Sequence, residues 1–240
     1  MTGEGKPLHQ GTVIHGAPTR GQLVLYRAFR GALLAFAAVW FRLRVEGKPK
    51  VPATGSFILA PIHRSNIDFL VVLAVTRRRM RYLAKDSLWK PGWGTLFSAL
   101  GGIPVARGSA DRDALKACIE VVERGEPLVM FPEGARQIGP ELCELFDGPA
   151  FVQSRTGVPI VPVGIGGSEA AMPKGAKFLK PRRLVVLIGD PLPAPEAEGA
   201  KAKRSAIKEQ TRVLGEEIQA LFDEAQRQAG TPNRRTVGEG

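Results

Sequence analysis

The sequence predicts an α/β fold: a mostly parallel, mixed sheet flanked by helices, with an N-terminal amphipathic, interfacial helical segment and a C-terminal helix. Short apolar segments bounded by glycine or proline alternate with longer segments of helical periodicity. Such alternation is typical of sheets whose parallel strands are joined by helices. Apolar residues make up 44% of the 240 residues, which is enough for a buried core.

The predicted strands are short segments bounded by turn residues or helices, and they cover 56–62, 80–85, 103–107, 127–132, 158–166 and 183–189. The predicted helices are longer, and they cover 66–77, 92–101, 111–125, 148–157 and 200–228. Helix 111–125 is the clearest, because acidic residues open it and Gly125 closes it.

The chain divides into four segments by composition. Residues 1–20 are polar and glycine-rich and are expected to form a flexible tail, and 229–240 are expected to form a second one. Residues 21–45 are expected to form a membrane-interface helix, and 46–228 a single α/β domain.

Segment 21–45 carries the apolar run "ALLAFAAVWF" between basic residues. An apolar helix with basic flanks is typical of a helix that lies in a membrane interface, although a helix packed on the core has the same composition. The run has ten residues, whereas a span needs about twenty, so a crossing is not expected. The first twenty residues have no apolar core and predict no secretory signal.

The formal net charge is +11 and the pI is about 10.1, which favours an anionic partner. Aromatic residues make up only 7% of the chain and are not interleaved with the basic runs, so a membrane or a phosphorylated compound is favoured over nucleic acid.

Several common motifs are absent from the sequence. It has no phosphate-binding glycine loop, no G-x-S-x-G and no H-E-x-x-H, and three histidines make a metal site improbable. Cys118 and Cys143 fit neither a disulfide framework nor a zinc site and are interpreted as reduced core thiols of a cytosolic protein.

The stretch "HRSNID" (63–68) follows a predicted buried strand. Two residues five apart on a helix point about 140° apart, so His63 and Asp68 meet only if the helix begins between them. Ser65 is a suitable N-cap for such a start, with Asp68 in the first turn. Asp68 would then orient His63 as a general base, or Asp68 only caps and His63 is a surface residue.

Three further stretches end or contain predicted strands. "FPEGAR" (131–136) offers backbone access at Gly134 and a planar phosphate-binding group at Arg136. "GGIPVARG" (101–108) places Arg107 at a strand end, and the two arginines could converge on one anion. The prolines of "VPIVPV" are expected to shape a pocket edge.

These four blocks occur in the order that the glycerophospholipid acyltransferases show, and the chain resembles that family, in particular the bacterial PlsC-like 1-acyl-sn-glycerol-3-phosphate acyltransferases. The resemblance covers roughly residues 46–190, with the blocks within 56–190. The segments "AKDSLWKPGWG" and "GIGGSEAAMPKG" resemble the actinobacterial branch. Segment 46–228 is therefore expected to be an acyltransferase domain.

The resemblance implies His63 as the base and Asp68 as its orienting partner. It implies that the acceptor's phosphate and glycerol are held by Arg107, Glu133, Gly134 and Arg136. No metal and no cofactor is implied, because acyl-CoA or an acyl carrier protein supplies the acyl group. The family often has asparagine where Ile62 stands and threonine where Ala135 stands, and Ala135 lacks the hydroxyl that a threonine would offer the acceptor.

The implied reaction is transfer of a fatty acyl group to the sn-2 hydroxyl of 1-acylglycerol-3-phosphate, giving phosphatidic acid, by a peripheral or monotopic protein at the cytoplasmic face of the cell membrane. Another lysophospholipid, glycerol 3-phosphate or a glycolipid are alternative acceptors. A non-enzymatic basic module that binds membrane or nucleic acid is the alternative of another class. The basic runs 77–81 and 174–183 could meet anionic head groups or an acidic carrier protein, or be solvated faces.

Overall fold

The computed structural model describes residues 19–85, 87, 89–90, 94–105, 111–196 and 198–234. In this part of the chain seven strands form one sheet. They are β1 (Arg44–Glu46), β2 (Ile58–Pro61), β3 (Arg81–Lys85), β4 (Gly102–Val105), β5 (Leu128–Val129), β6 (Ile160–Gly166) and β7 (Val185–Ile188). The helices are α1 (Arg20–Trp40), α2 (Asp68–Val72), α3 (Gly94–Ala99), α4 (Asp111–Glu123), α5 (Gly148–Thr156), α6 (Ser168–Ala171) and α7 (Ala200–Ala229), with a short 3-10 helix at Lys48–Lys50.

The strand order is β1-β7-β6-β2-β5-β3-β4, and every neighbouring pair is parallel except β6 and β7. This confirms the predicted α/β class with a mostly parallel, mixed sheet. Strands β2 and β6 are buried along their whole length. Because β2, β5 and β6 run in the same direction, their carboxyl ends meet at one edge of the sheet, where open α/β sheets bind ligands. We call this edge the carboxyl edge.

Helix α7 packs directly on β6, and two glycines of the strand make the close approach possible. A Cβ on Gly166 would lie 2.1 Å from the carbonyl oxygen of Ala225, and a Cβ on Gly164 would lie 2.3 Å from the carbonyl carbon of Leu221. Backbone can approach backbone this closely only where a side chain is missing. The same register brings the C-terminal end of α7 to the carboxyl edge.

The N-terminal helix ends earlier than predicted. It begins with a capping box between Thr19 and Gln22, and it ends at Trp40 instead of continuing to 45. Arg42 adopts a positive φ of 49°, which turns the chain. Arg44 then donates its backbone N–H to the carbonyl of Leu184 and starts β1 beside β7. The extended strand satisfies backbone groups that a longer helix would leave at the sheet edge.

The predicted helix 66–77 is also too long. The structure has α2 from Asp68 to Val72, followed by turns through Val75. The segment is mostly buried and contains three valines, whose branched side chains disfavour a long helix. Its last carbonyls, those of Leu73 and Thr76, are satisfied by the guanidinium of Arg30 on α1.

Helix α1 has two contrasting faces. Tyr26 and Ala37 are buried against the domain, whereas its exposed apolar side chains are Val24, Leu25, Phe36, Val39 and Trp40. The helix has a mean hydropathy of 1.5 in its most apolar window and only 11% of that window is buried, so by length and composition it could cross a membrane. The ten-residue run is shorter than the apolar helix to which it belongs. Arg27 and Arg30 separate the run from the apolar residues that precede it in the sequence.

Most of the basic run 77–81 turns into the protein. Arg78 donates to the carbonyls of Pro52 and Gly125, and Arg79 donates to those of Ser98 and Ala99. Arg81 is 6% exposed. Contact between these three arginines and head groups is therefore not supported.

Two smaller predictions also change. Cys118 is a core thiol, and burial raises its pKa to about 12. Cys143 is exposed, so the prediction of two core thiols is wrong for Cys143.

The expected tail 229–240 begins later, because Thr231 and Asn233 hydrogen-bond to side chains of α7. Residues 235–240 and most of tail 1–20 lie outside the described residues.

The packing of α7 on β6 predicts the effect of one methyl group. Gly166→Ala should lower the free energy of unfolding by about 1–3 kcal/mol, because the new Cβ overlaps the backbone of α7. The matched control is Gly31→Ala in α1, where nothing lies within 4 Å of the new Cβ and alanine favours a helix. Chemical denaturation measures both, and equal stability of the two variants would contradict this packing.

Candidate active site

The turn between β2 and α2 brings His63 and Asp68 together. The Nδ1 atom of His63 lies 3.1 Å from Oδ2 of Asp68. The backbone N–H groups of Arg64 and Ser65 donate to the same carboxylate oxygen, each at 2.6 Å. The helix begins at Asp68, after the histidine, so the two side chains meet as the sequence predicted. One buried oxygen therefore accepts three hydrogen bonds from this turn.

Ser65 caps this helix start in a modified form. The first helical residue is Asp68, with Ile67 as N-cap, so the helix starts later than predicted. The hydroxyl of Ser65 accepts from the N–H of Ile67 at 3.4 Å and donates to the carbonyl of Met172 at 2.7 Å. The carboxylate of Asp68 accepts the Ser65 N–H, which is the reciprocal half of a capping box. Capping and orientation of His63 thus use the same carboxylate.

The imidazole of His63 is held on two sides. Its ring stacks on Phe131 with centroids 4.1 Å apart, and its side chain is 19% exposed. A carboxylate only accepts hydrogen bonds, so the contact with Asp68 favours the neutral tautomer that has its proton on Nδ1 and a lone pair on Nε2. Nε2 has no hydrogen-bond partner among the described residues. A ring in this state is ready to accept a proton at Nε2.

Asp68 is completely buried, and its second oxygen has no hydrogen-bond partner among the described residues. A buried, unsatisfied polar atom is costly, and a catalytic role is one of the explanations for it. All three donors converge on Oδ2. The carboxylate can therefore stabilise positive charge on the neighbouring imidazole.

A second buried carboxylate, that of Glu133, fixes the backbone of the same turn. Glu133 follows β5 and accepts two hydrogen bonds from Nη1 of Arg64, at 2.6 and 2.7 Å. It also accepts the backbone N–H of His63 at 2.9 Å. The side chains of Arg64 and Glu133 are both 0% exposed. Removal of either partner of a buried ion pair with these additional hydrogen bonds strongly destabilises the folded protein.

Arg64 connects the site to the rest of the domain. Its guanidinium donates to the carbonyls of Gly139 and Glu141 and lies 5.2 Å from the ring centroid of Phe222 on α7. Arg64 was not singled out from the sequence, although it stands directly after the candidate base. The sequence does contain one signal for this pair. The arginine of "HRS" and the glutamate of "PEG" carry opposite charges, and each follows a buried strand.

The residues expected to hold the acceptor do not all face one common site. The carboxylate of Glu133 points at Arg64 and His63, so its observed contacts are within the protein. Gly134 has a positive φ of 65°, and a Cβ there would lie 2.8 Å from the ring of Phe146. Arg107 lies outside the described residues. Its place relative to His63 stays a prediction.

Arg136 is also predicted to bind the acceptor. Its guanidinium has no hydrogen-bond or ion-pair partner among the described residues. The next residue, Gln137, donates its backbone N–H to the carbonyl of His63 at 2.9 Å. The 133–137 loop is thereby held to the backbone of His63 by the carboxylate of Glu133 and by the backbone N–H of Gln137. Arg136 is partly exposed beside this attachment and is available to an anion.

The described residues contain no group of three or more histidine, cysteine, aspartate or glutamate side chains arranged to hold a metal ion.

A mostly parallel sheet with a carboxylate-oriented histidine at its carboxyl edge defines an α/β protein with a candidate acid–base site. The profile of the Acyltransferase family matches residues 42–166, a range that contains His63, Asp68 and Glu133. The chain belongs to the Acyltransferase family.

Known relatives agree with this assignment. A chloroplastic 1-acyl-sn-glycerol-3-phosphate acyltransferase of Arabidopsis thaliana is 26% identical over 164 residues, which are 66% of this chain and 46% of that protein. An uncharacterised acyltransferase of Schizosaccharomyces pombe is 26% identical over 217 residues, 87% of this chain and 76% of that protein. The chain spans about half the length of the first of these relatives. The predicted resemblance to glycerophospholipid acyltransferases is confirmed, and the actinobacterial branch stays a prediction.

The fold also matches a solved structure. The 1-acyl-sn-glycerophosphate acyltransferase PlsC from Thermotoga maritima superposes with a TM-score of 0.62 over 82% of this chain and 80% of that one, at 24% sequence identity. This likeness supports the α/β architecture, including an N-terminal apolar helix and a C-terminal helix.

The buried ion pair predicts strong coupling in a double-mutant cycle. Glu133→Gln and Arg64→Met should each lower the free energy of unfolding by about 3–5 kcal/mol, because each leaves its partner buried without compensation. The double variant should lose less than the sum of the two. Urea denaturation measures all three.

The control cycle uses the exposed pair of Lys50 and Asp190, whose atoms lie 2.9 Å apart. Its coupling should stay below about 1 kcal/mol. Strictly additive losses for Arg64 and Glu133 would show that their pairing does not hold the turn.

Proposed function

We propose that this protein is an O-acyltransferase that moves a fatty acyl group from a thioester, acyl-CoA or an acylated carrier protein, to the sn-2 hydroxyl of 1-acylglycerol-3-phosphate, giving phosphatidic acid. The observation that carries the proposal is the bond between Nδ1 of His63 and the buried Asp68, which leaves Nε2 as the free nitrogen. Family membership supports acyl transfer, and the name of the Arabidopsis relative supports this acceptor.

The proposed chemistry needs one base and no covalent enzyme intermediate. Nε2 of His63 accepts the proton of the acceptor hydroxyl while the hydroxyl oxygen attacks the thioester carbonyl carbon. The new C–O bond forms as a tetrahedral intermediate, and the C–S bond then breaks. The departing thiolate takes the same proton back from Nε2. Proton and electrons balance, and His63 returns to its starting state.

Asp68 contributes through charge and orientation. When Nε2 takes the proton, the imidazole becomes positive, and the carboxylate 3.1 Å away stabilises that charge. Burial makes the interaction stronger than it would be in water. Phe131 packs on the ring face and restricts rotation of His63 away from this bond.

Arg136 is proposed to bind the phosphate of the acceptor, since a guanidinium matches a phosphate by two parallel hydrogen bonds. Arg107 is proposed as a second phosphate contact on the basis of the family resemblance. Glu133 is proposed as a positioning residue instead of an acceptor contact, because its oxygens already hold Arg64 and the His63 backbone.

Helix α1 is proposed to hold the protein on the cytoplasmic face of the cell membrane as a monotopic or peripheral protein. Tyr26 bonds to the carbonyl of Arg78 near one end of the helix, and Phe41 is buried just beyond the other. Because both ends dock on the domain, the helix lies along its surface and presents its exposed apolar face to lipid. Lipid acceptors would then reach the site without leaving the interface.

Loss of the base should abolish turnover without unfolding. His63→Ala should lower kcat by about 10²–10⁴-fold, because the proposed acceptor of the hydroxyl proton is removed. Mass spectrometry of phosphatidic acid formed from acyl-CoA and 1-acylglycerol-3-phosphate measures this, and a panel with glycerol 3-phosphate and other lysophospholipids tests the acceptor.

The matched control for this measurement is Arg204→Ala, an exposed change on α7, which should keep the wild-type rate. Circular dichroism verifies that each variant is folded. Full activity of His63→Ala would eliminate the proposed mechanism, and turnover confined to another acceptor would eliminate the proposed substrate.

The outer face of α1 should govern binding to uncharged membranes. Replacing Val24, Leu25 and Val39 together by Gln should weaken binding to phosphatidylcholine vesicles by at least about tenfold, because exposed apolar area is lost while the docked face stays. Vesicle co-sedimentation measures it. Arg27→Gln, an exposed change on the same helix, should bind as the wild type does. Unchanged binding of the triple variant would exclude this face.

A further inference from the structure

The connection from α6 to β7 carries an unusual concentration of positive charge. We call residues 173–183 the basic loop. Its basic side chains are all partly or fully exposed, and they are Lys174, Lys177, Lys180, Arg182 and Arg183. The loop contains no acidic residue. None of these five side chains makes an ion pair or a hydrogen bond with another described residue, in contrast to Arg78 and Arg79 of run 77–81.

An aromatic side chain stands in the middle of these charges. Phe178 is 83% exposed, the highest exposure among the large apolar side chains of the described residues. Exposing an isolated phenylalanine to water has no benefit for folding. An apolar side chain surrounded by lysines is the arrangement that binds an anionic lipid surface, where the ring enters the interface and the charges meet head groups.

Both ends of the basic loop are fixed to features already described. Just before it, the carbonyl of Met172 accepts from the hydroxyl of Ser65 in the catalytic turn, at 2.7 Å. Just after it, the N–H of Leu184 donates to the carbonyl of Phe41, the residue that follows α1, at 3.0 Å. The loop therefore lies at the carboxyl edge, between the candidate base and the exposed end of α1 at Val39 and Trp40.

We propose that the basic loop is an anionic-lipid-binding element that docks the carboxyl edge on a bilayer containing anionic phospholipid. Helix α1 supplies apolar attachment, and the basic loop supplies the selectivity for negative charge. Because Ser65 joins the loop to the turn that holds His63, this docking sets the candidate base against the lipid surface.

The continuity of the loop with the apolar end of α1 favours a bilayer over a soluble acidic partner such as a carrier protein. A bilayer contacts both surfaces at once, and Phe178 gains an apolar environment there. The inference rests on the proposed function only in taking the acceptor from a membrane. Binding to vesicles can be measured whether or not acyl transfer is found.

The test compares two double variants of the full chain that lose the same charge. Lys177→Ser with Lys180→Ser changes the loop. Lys201→Ser with Lys203→Ser changes exposed lysines near the start of α7, about 39 Å along the helix from its end at the carboxyl edge. Co-sedimentation uses vesicles of phosphatidylcholine alone and of phosphatidylcholine with an equal amount of phosphatidylglycerol.

At low salt the loop variant should lose roughly 30-fold in affinity for the anionic vesicles, about fivefold for each charge. Its binding to phosphatidylcholine and its acyl-transfer rate in neutral detergent micelles should equal those of the wild type. The α7 variant should bind both vesicles as the wild type does. Phe178→Ser should weaken binding to both kinds of vesicle.

Equal affinity of the loop variant and the wild type for anionic vesicles would overturn the proposal, and so would equal losses in the two double variants. Unchanged vesicle binding with a slower reaction from the acylated carrier protein, but not from acyl-CoA, would also overturn it and assign the loop to that partner. A wild-type protein with no acyl transfer in micelles refutes the proposed function and leaves the vesicle result to decide on the loop.

Discussion

A single buried oxygen, Oδ2 of Asp68, accepts hydrogen bonds from the His63 ring and from the backbone of Arg64 and Ser65. This convergence closes the turn between β2 and α2 and orients the imidazole in one step. All three donors reach the same oxygen, so one carboxylate both closes the turn and contacts the His63 ring. Local structure and proposed chemistry therefore depend on the same carboxylate.

The buried pair of Arg64 and Glu133 extends this order outward. Glu133 holds the His63 backbone and Arg64, while Arg64 reaches the 139–141 loop and Phe222 of α7. The site is thus built into the packing of the domain. The carboxyl edge that carries it also bears the end of α1 and the basic loop, so the proposed lipid-binding surfaces and the candidate base share one side of the molecule.

The sequence predicted the sheet class, the meeting of His63 with Asp68 and the long C-terminal helix, because periodicity and capping are local signals. It did not predict that Glu133 faces inward on Arg64, since that pairing depends on β5 lying beside β2, a contact between residues 69 apart in the chain. The shortness of α2 was missed for a similar reason. Its burial and its contact with Arg30 come from tertiary packing.

The central claim is that Asp68 fixes the tautomer of His63 with the proton on Nδ1 and the lone pair on Nε2. Long-range nitrogen NMR of the uniformly labelled protein at a pH where the ring is neutral tests this directly, and His63→Ala identifies its signals among those of the three histidines. The account predicts a protonated Nδ1 and an unprotonated Nε2. A protonated Nε2 in the neutral ring would contradict it.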